Sequence, residues 1–334
     1  AAQTTRLFGL QARRKDAWQK MGASTILAIL LIFVVHLTSD LTSPGIATAI
    51  VYASPILVLW IISPSLAWWI NRPIAKKSSH LNKQEIDLLR RVTRRTWGFF
   101  EHFVGPEDHW LPPDHYQESP VGTVSHHTSP TNIGLLLTST LAAYDLGYLD
   151  QLGLATRLGT TIDSLERLER FRGHFMNWYD TLTLQPLHPR YISTVDSGNL
   201  AASLIITAQA CKAMPDEPIF RWGLWQGYLD TLSNLSEILE DIYKPEFTLQ
   251  VAEINKRIDE MHAEILSVRS ERERWYQLFL KTIGPFWQFL SNHLMKLVEV
   301  GRSAFDLQML EKLQEVSSQI ERQHNALLRT INEL

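Results

Sequence analysis

Residues 174–200 read HFMNWYDTLTLQPLHPRYISTVDSGNL and hold Asn177, Trp178, Tyr179, Asp180, Arg190, Asp196, Ser197 and Asn199 close together. No helical or strand period runs through the whole stretch. Carboxylates, amides and a guanidinium can hydrogen-bond to hydroxyl groups, and a flat ring can cover the apolar face of a sugar. The mixture suits a sugar-binding surface, and it suits an ordinary polar loop as well. Trp178, Tyr179, Asp180, Arg190, Asp196 and Asn199 are therefore the candidate substrate-binding residues. Cleaving a glycosidic bond asks for more, namely two carboxyl groups about 5–5.5 Å apart in retaining enzymes and farther apart in inverting ones. Asp180 and Asp196 are the weak catalytic candidates in this stretch. Set against that are two structural roles, as a helix cap and as the partner of Arg190.

A second polar stretch, residues 105–134, reads GPEDHWLPPDHYQESPVGTVSHHTSPTNIG. It carries His109, His115, His126 and His127 beside Glu107, Asp108, Asp114 and Glu118, and Trp110 and Tyr116 are further candidate ring platforms. A metal would need three or four of these ligands to converge with supporting hydrogen bonds. The spacing matches no recognised ligand pattern, so no metal is expected. There is also no phosphate-binding glycine motif, nucleophile elbow or HExxH pair. A formal net charge of −3 over 334 residues offers no electrostatic footprint for nucleic acid. Cys211 is the only cysteine, which excludes an intrachain disulfide, and its apolar surroundings in LIITAQACKAM predict a small buried residue.

These stretches need a scaffold, and the sequence predicts an all-α one. Residues 21–39 and 46–70 contain no Asp, Glu, Lys or Arg, and each is long enough to cross a hydrocarbon core of about 30 Å as a helix. They are read as two transmembrane helices, with Pro55 and Pro64 tolerated in the second. Trp60, Trp68 and Trp69 could anchor that helix at an interface. His36 falls near the far end of the first span. Arg13, Arg14, Lys15 and Lys20 precede the pair, and Arg72, Lys76 and Lys77 follow it. The loop at 40–45 has no basic residue. By the positive-inside rule, residues 1–20 and everything after residue 70 lie in the cytoplasm. The opening AAQTTRLF has neither an initiator Met nor a signal pattern, so the chain reads as a fragment or a processed piece.

Downstream, apolar residues recur at helical spacing. Ile86, Leu89, Val92, Phe100 and Phe103 mark the buried face of a first helix. Ser129 and Pro130 open a second. Ile162, Leu165, Leu168 and Phe171 mark a third, and Asp196 or Ser197 caps a fourth over residues 200–214. The connections at 105–129 and 172–198 are longer than helix–helix links usually are, and long loops on a rigid scaffold tend to carry function. After residue 244, Val251, Ile254, Ile258, Met261, Ile265 and Val268 form a heptad-like seam, and Leu313, Ile320, Leu327 and Leu334 recur every seven residues. Packing within the chain is the expectation for both.

Three blocks, RRTWGFFEHFVGPEDHWLPPDHYQE, HHTSPTNIGLLLTSTLAAYDLGYL and RLERFRGHFMNWYDTLTLQPLHPRYISTVDSGNLA, resemble cyclic β-1,2-glucan synthases, which are large multidomain enzymes of the bacterial inner membrane. The resemblance runs from about residue 64 to residue 238. It implies that residues 46–70 end the last membrane hairpin and that residues 71–243 begin an (α/α)6 glycosidase-like domain, which closes linear glucan into a ring by transglycosylation. Residues 244–334 lie outside the resembling region and are read from their heptad spacing as long helices that could form a helical hairpin. UDP-glucose, with a divalent metal, would be used in another domain, so no cofactor is expected here. The partners implied are β-1,2-glucan, the lipid bilayer and the remaining domains. The family's catalytic glutamates lie beyond the matched stretch and fall on no residue of this sequence. An alternative of another class is a non-catalytic membrane-anchored helical adaptor that uses its carboxy-terminal heptads as the interaction surface.

Overall fold

The computed structural model describes residues 14–38, 44–70, 81–242, 245–302 and 304–332. The expected basic segment before residue 14, the basic residues after Ile70, Leu334 and most of the loop at 40–45 fall outside the described residues, as does the side chain of His36. The chain divides into two units, Ala1–Leu81 and Asn82–Leu334.

The first unit is a helical hairpin of α1 (Arg14–Thr38) and α2 (Pro44–Ile70). Small and hydroxyl-bearing residues let the two backbones approach, as they do wherever the surroundings are as apolar as the side chains. Ser24 Oγ and Ser63 Oγ lie 2.8 Å apart, Thr25 Oγ1 donates to Ile61 O at 3.3 Å, and Ala28 is fully buried between the helices. Within α2, Val51–Ile70 is long and apolar enough to cross a membrane and is almost wholly uncovered. The apolar part of α1, Trp18–Val34, is shorter, so among the described residues one helix meets that measure where two were expected.

The second unit is built from helices, with six two-residue strands in its loops. Helix α3 (Lys83–Phe103) opens with a reciprocal cap: Asn82 Oδ1 accepts from Glu85 N and Glu85 Oε2 accepts from Asn82 N. It is followed by α4 (Pro130–Leu146), α5 (Gln151–Arg167), α6 (Thr194–Ala213) and α7 (Trp222–Glu240). Next come α8 (Thr248–Ser267) and α9 (Arg272–Leu278), which runs through a π turn at Phe279–Ile283 into α10 (Gly284–Gly301). Helix α11 (Leu307–Asn332) ends the series. One apolar core gathers Trp97, Leu111, Ile133, Leu137, Leu154, Leu158, Leu165 and Tyr179 from α3–α5 and the loops. A second gathers α7–α11 around Trp225, Ile258, Phe286 and Ile320. In that second core Ile254, Ile258, Met261 and Ile265 of the heptad seam are buried, as are Leu313, Ile320 and Leu327. These heptad positions are thus spent inside the unit and not offered to a partner coil. Helix α4 ends at Gly147, in the left-handed conformation at φ 86°, and its backbone meets Gly223 and Gly227 of α7 without room for a Cβ.

Three expectations about faces are corrected. In α3, Ile86, Leu89 and Val92 are exposed, and the residues that face inward are Arg90, Arg94, Trp97 and Glu101. The reason is a polar row on α7. Arg90 makes a two-oxygen contact with Asp230 at 2.9 Å, and Arg94 Nε donates to Thr231 Oγ1 at 2.8 Å. Arg91 and Arg95 pair with Glu237, and Arg95 also reaches Asn234. Over the first part of the helix, charge-assisted hydrogen bonds take the place of apolar burial, and Trp97 and Phe100 add apolar packing further along. In the third helix, Leu165 and Leu168 are buried, but Ile162 and Phe171 are exposed and Phe171 lies in a strand beyond the helix end. Cys211 is exposed, because α6, apolar nearly all round, buries only Leu200 and Thr207 among its residues.

Candidate functional site

The two long connections fold onto each other. In the first, β1 (Tyr116–Gln117) pairs with β2 (Thr123–Val124), and β3 (His127–Thr128) follows. In the second, β4 (Arg170–Phe171) pairs with β5 (His174–Phe175), and β6 (Tyr179–Asp180) follows. Antiparallel pairing of β3 with β6 sets His127 opposite Asp180 and Thr128 opposite Tyr179, joining the loops through their backbones. Side chains complete the seam. His109 Nδ1 bonds Thr181 O at 2.8 Å, His126 Nδ1 bonds Asp108 Oδ1 at 2.8 Å, and the buried Thr181 hydroxyl donates to the same carboxylate.

Behind the seam the amino-terminal turns of α4 and α6 lie side by side. Ser129 caps α4, as expected, by accepting from Asn132 N at 3.3 Å. The cap of α6 is Ser193, four residues before Ser197, and its oxygen accepts from Asp196 N at 3.2 Å. Asp196 is therefore no cap but sits within the first turn, where the helix dipole favours its charge. Its Oδ1 accepts from Thr131 Oγ1 at 2.6 Å, and Thr131 in turn accepts from Asn199 Nδ2 at 3.0 Å. With the Asn177 amide oriented to satisfy its neighbours, its nitrogen donates to Asp196 Oδ2 at 3.1 Å. Its oxygen then accepts from Trp178 Nε1 at 2.8 Å and from the Tyr191 hydroxyl at 2.7 Å. Next along α4, Asn132 Nδ2 donates to Asp114 Oδ1 at 2.9 Å, while Asp114 Oδ2 meets His115 Nδ1 at 2.9 Å. The His127 ring lies edge-on to Trp178 at 5.1 Å, with Ser125 Oγ at 2.8 Å from its Nδ1.

Of the residues singled out in the sequence, the fold thus brings Trp178, Asp196 and Asn199 into one hydrogen-bonded patch. The other three go elsewhere. Tyr179 is fully buried, and its hydroxyl donates to Glu169 O and accepts from Met176 N, both at 2.7 Å, so its ring is part of the core and not a platform. Asp180 Oδ1 accepts from Leu182 N, Thr183 N and Thr183 Oγ1, which closes the turn after β6. Arg190 pairs with Glu169 and not with either aspartate. The residues missed are Asn177 as the hub, Thr131 and Asn132 beneath it, and Asp114 as the second carboxylate. The signal for Thr131 and Asn132 was present, since the Ser129–Pro130 cap places them in the first turn of a helix facing the loops. Among the described residues no three His, Cys, Asp or Glu side chains converge as metal ligands.

The charge state of two carboxylates follows from these bonds. Burial pushes Asp114 up, but hydrogen bonds from His115 and Asn132 and the nearby imidazoles outweigh it and hold its carboxyl below the ordinary value. Burial also pushes Asp180 up, and the Thr183 and Leu182 donors outweigh it and hold its carboxyl below the ordinary value. A group whose folded pKa is depressed stabilises the fold above its unfolded value, about 3.9 for aspartate, and loses that contribution as pH falls through the folded value. Melting temperature measured against pH should therefore show wild type more stable than Asp180→Asn at neutral pH. The two curves should converge below about pH 4. Parallel curves across that range would remove Asp180 from the turn's energetics.

No family model matches the chain. A stretch of 226 residues, 66% of the chain, is 35% identical to a cyclic beta-(1,2)-glucan synthase, NdvB, of Rhizobium meliloti. The chain is similar to one segment of such a synthase. It covers 8% of that protein's length. The resemblance carried by the three sequence blocks is thus upheld, and those blocks contain every residue of the polar patch.

Proposed function

We propose that the chain lends a glucan-binding surface to the part of a membrane-bound cyclic β-(1,2)-glucan synthase that closes linear glucan into a ring. The observation that carries this reading is the patch of Trp178, Asn177, Asp196, Asn199, Thr131 and Asp114. It combines a half-buried ring with carboxylates whose oxygens are held in fixed directions, within the stretch that resembles the synthase. A glucose unit offers an apolar ring face and a rim of hydroxyls, which is the complementary pattern. Glycoside cleavage needs one carboxylic acid that stays protonated, with a raised pKa, beside a second carboxylate that is ionised. Asp114 and Asp180 are shifted the other way, and Asp196 has both oxygens engaged by neutral donors. Asp114 and Asp180 thus do not fit the acid, and we assign Asp114 and Asp196 to positioning, Asp180 to closing its turn, and bond cleavage to carboxylates outside this chain. UDP-glucose chemistry is likewise assigned to another part of the enzyme. The basic residues flanking the hairpin favour a bacterial inner-membrane location with residues after Ile70 in the cytoplasm.

The test is ring closure by the complete synthase carrying Asp196→Asn or Trp178→Ala. Each lost contact should cost about 1–3 kcal/mol. That loss should lower glucan affinity and ring formation together, by roughly ten- to a hundredfold. Abolished ring closure with normal glucan binding would instead make the changed residue a catalytic one. Full activity of both variants would reduce the patch to scaffolding.

A further inference from the structure

Helix α3 is inside out. Its guanidinium row, Arg90, Arg91, Arg94 and Arg95, faces α7, and the opposite side presents Leu88, Leu89 and Val92 at 53%, 52% and 53% exposure. Helical spacing continues that stripe through Phe99 and Phe103, which are only partly covered. Phe103 in turn meets the exposed Tyr116 ring at 4.8 Å. A surface helix ordinarily does the reverse, burying the apolar stripe and wetting the charges. Exposed apolar residues scattered singly need no explanation, whereas a continuous stripe marks an interaction surface.

Two features of the chain identify what covers it. Residue 70 ends the apolar helix α2 and residue 83 begins α3, so twelve residues connect them. The stripe therefore follows the apolar helix α2 directly in the sequence, after a connection too short to hold a domain of its own. The connection reads NRPIAKKSSHLN, with Arg72, Lys76 and Lys77 and no acidic residue. A basic segment beside a span is attracted to anionic headgroups, and an apolar helix face lies in the interface with its stripe in the acyl boundary. We infer that the Leu88, Leu89 and Val92 face of α3 docks on the lipid surface, so that the helix serves as an interfacial anchor for the unit that carries the loops. This rests on the reading that α2 crosses the membrane.

The test uses the full chain in phosphatidylcholine vesicles containing phosphatidylglycerol. In a Cys211→Ser background, an environment-sensitive fluorophore is attached at Leu88→Cys or Val92→Cys. Val58→Cys in α2 and the highly exposed Leu249→Cys on α8 serve as references. Lipids brominated on the acyl chains should quench the labels at 88, 92 and 58, with blue-shifted emission, and leave the label at 249 unchanged. Labels at 88 and 92 that behave like the one at 249, while 58 is quenched, would overturn the docking and leave the span intact. A blue shift at 88 and 92 without quenching would mean that protein covers the stripe, which also overturns the lipid assignment. No quenching at 58 would overturn the span and the docking together.

Discussion

Glu101→Gln should lower the stability of the helical unit by about 3–5 kcal/mol, the usual cost of breaking a buried pair by removing one partner. Glu101 is 2% exposed and accepts from the fully buried Arg94 at 2.8 Å, and Arg322 of α11 lies 3.4 Å from its other oxygen. It also acts on the buried Arg157 of α5, where burial pulls the guanidinium pKa down, Glu101 raises it again and Arg322 opposes that. Glu101 therefore faces three cations from three helices, of which Arg322 is partly exposed and also pairs with Glu315. Taking its charge away leaves the fully buried Arg94 without its carboxylate. Several kcal/mol is a large share of the stability of an ordinary domain, so the loss should appear as a clear drop in melting temperature. Val92→Ser on the outer face of the same helix should shift the melting temperature little in detergent, because nothing in the unit packs on it. The opposite ranking of the two variants would mean that α3 is seated by its apolar face after all.

Tyr179→Ala should cost a similar amount, about 3–5 kcal/mol, as large aromatic truncations in cores do. It removes a fully buried ring and strands Glu169 O and Met176 N, which the hydroxyl now bridges across the second loop. Any fall in glucan binding by this variant should track its fraction unfolded and recover at lower temperature. Trp178→Ala, one residue away and half-buried, should weaken binding with far less effect on melting. If Tyr179→Ala melted like wild type while binding fell, the ring would be a sugar platform and its burial would be misplaced.

The contrast between these neighbours shows what the sequence could and could not convey. The composition of residues 174–200 marked a loop that the fold joins to the first one, and the Ser129–Pro130 cap correctly marked where α4 begins. Which member of a Trp–Tyr–Asp run faces inward depends on β6 pairing with a strand some fifty residues earlier, and no local period records that. The same limit explains α3. Its apolar spacing was legible, but the face that turns inward was decided by Asp230, Thr231, Asn234 and Glu237 on a helix far along the chain. Arg190 was paired by proximity with Asp180 or Asp196, whereas in the fold it pairs with Glu169, twenty-one residues earlier. Helix existence followed from local pattern; partners across loops followed from tertiary pairing.

Titration of the chain with linear β-1,2-glucan oligosaccharides, followed by calorimetry, tests the central claim most directly. Saturable binding is expected, weakened roughly ten- to a hundredfold by Trp178→Ala or Asp196→Asn and unchanged by Leu249→Ala. No saturable binding by the wild-type chain, or equal affinity in the Trp178→Ala and Asp196→Asn variants, would contradict the assignment of this patch to glucan.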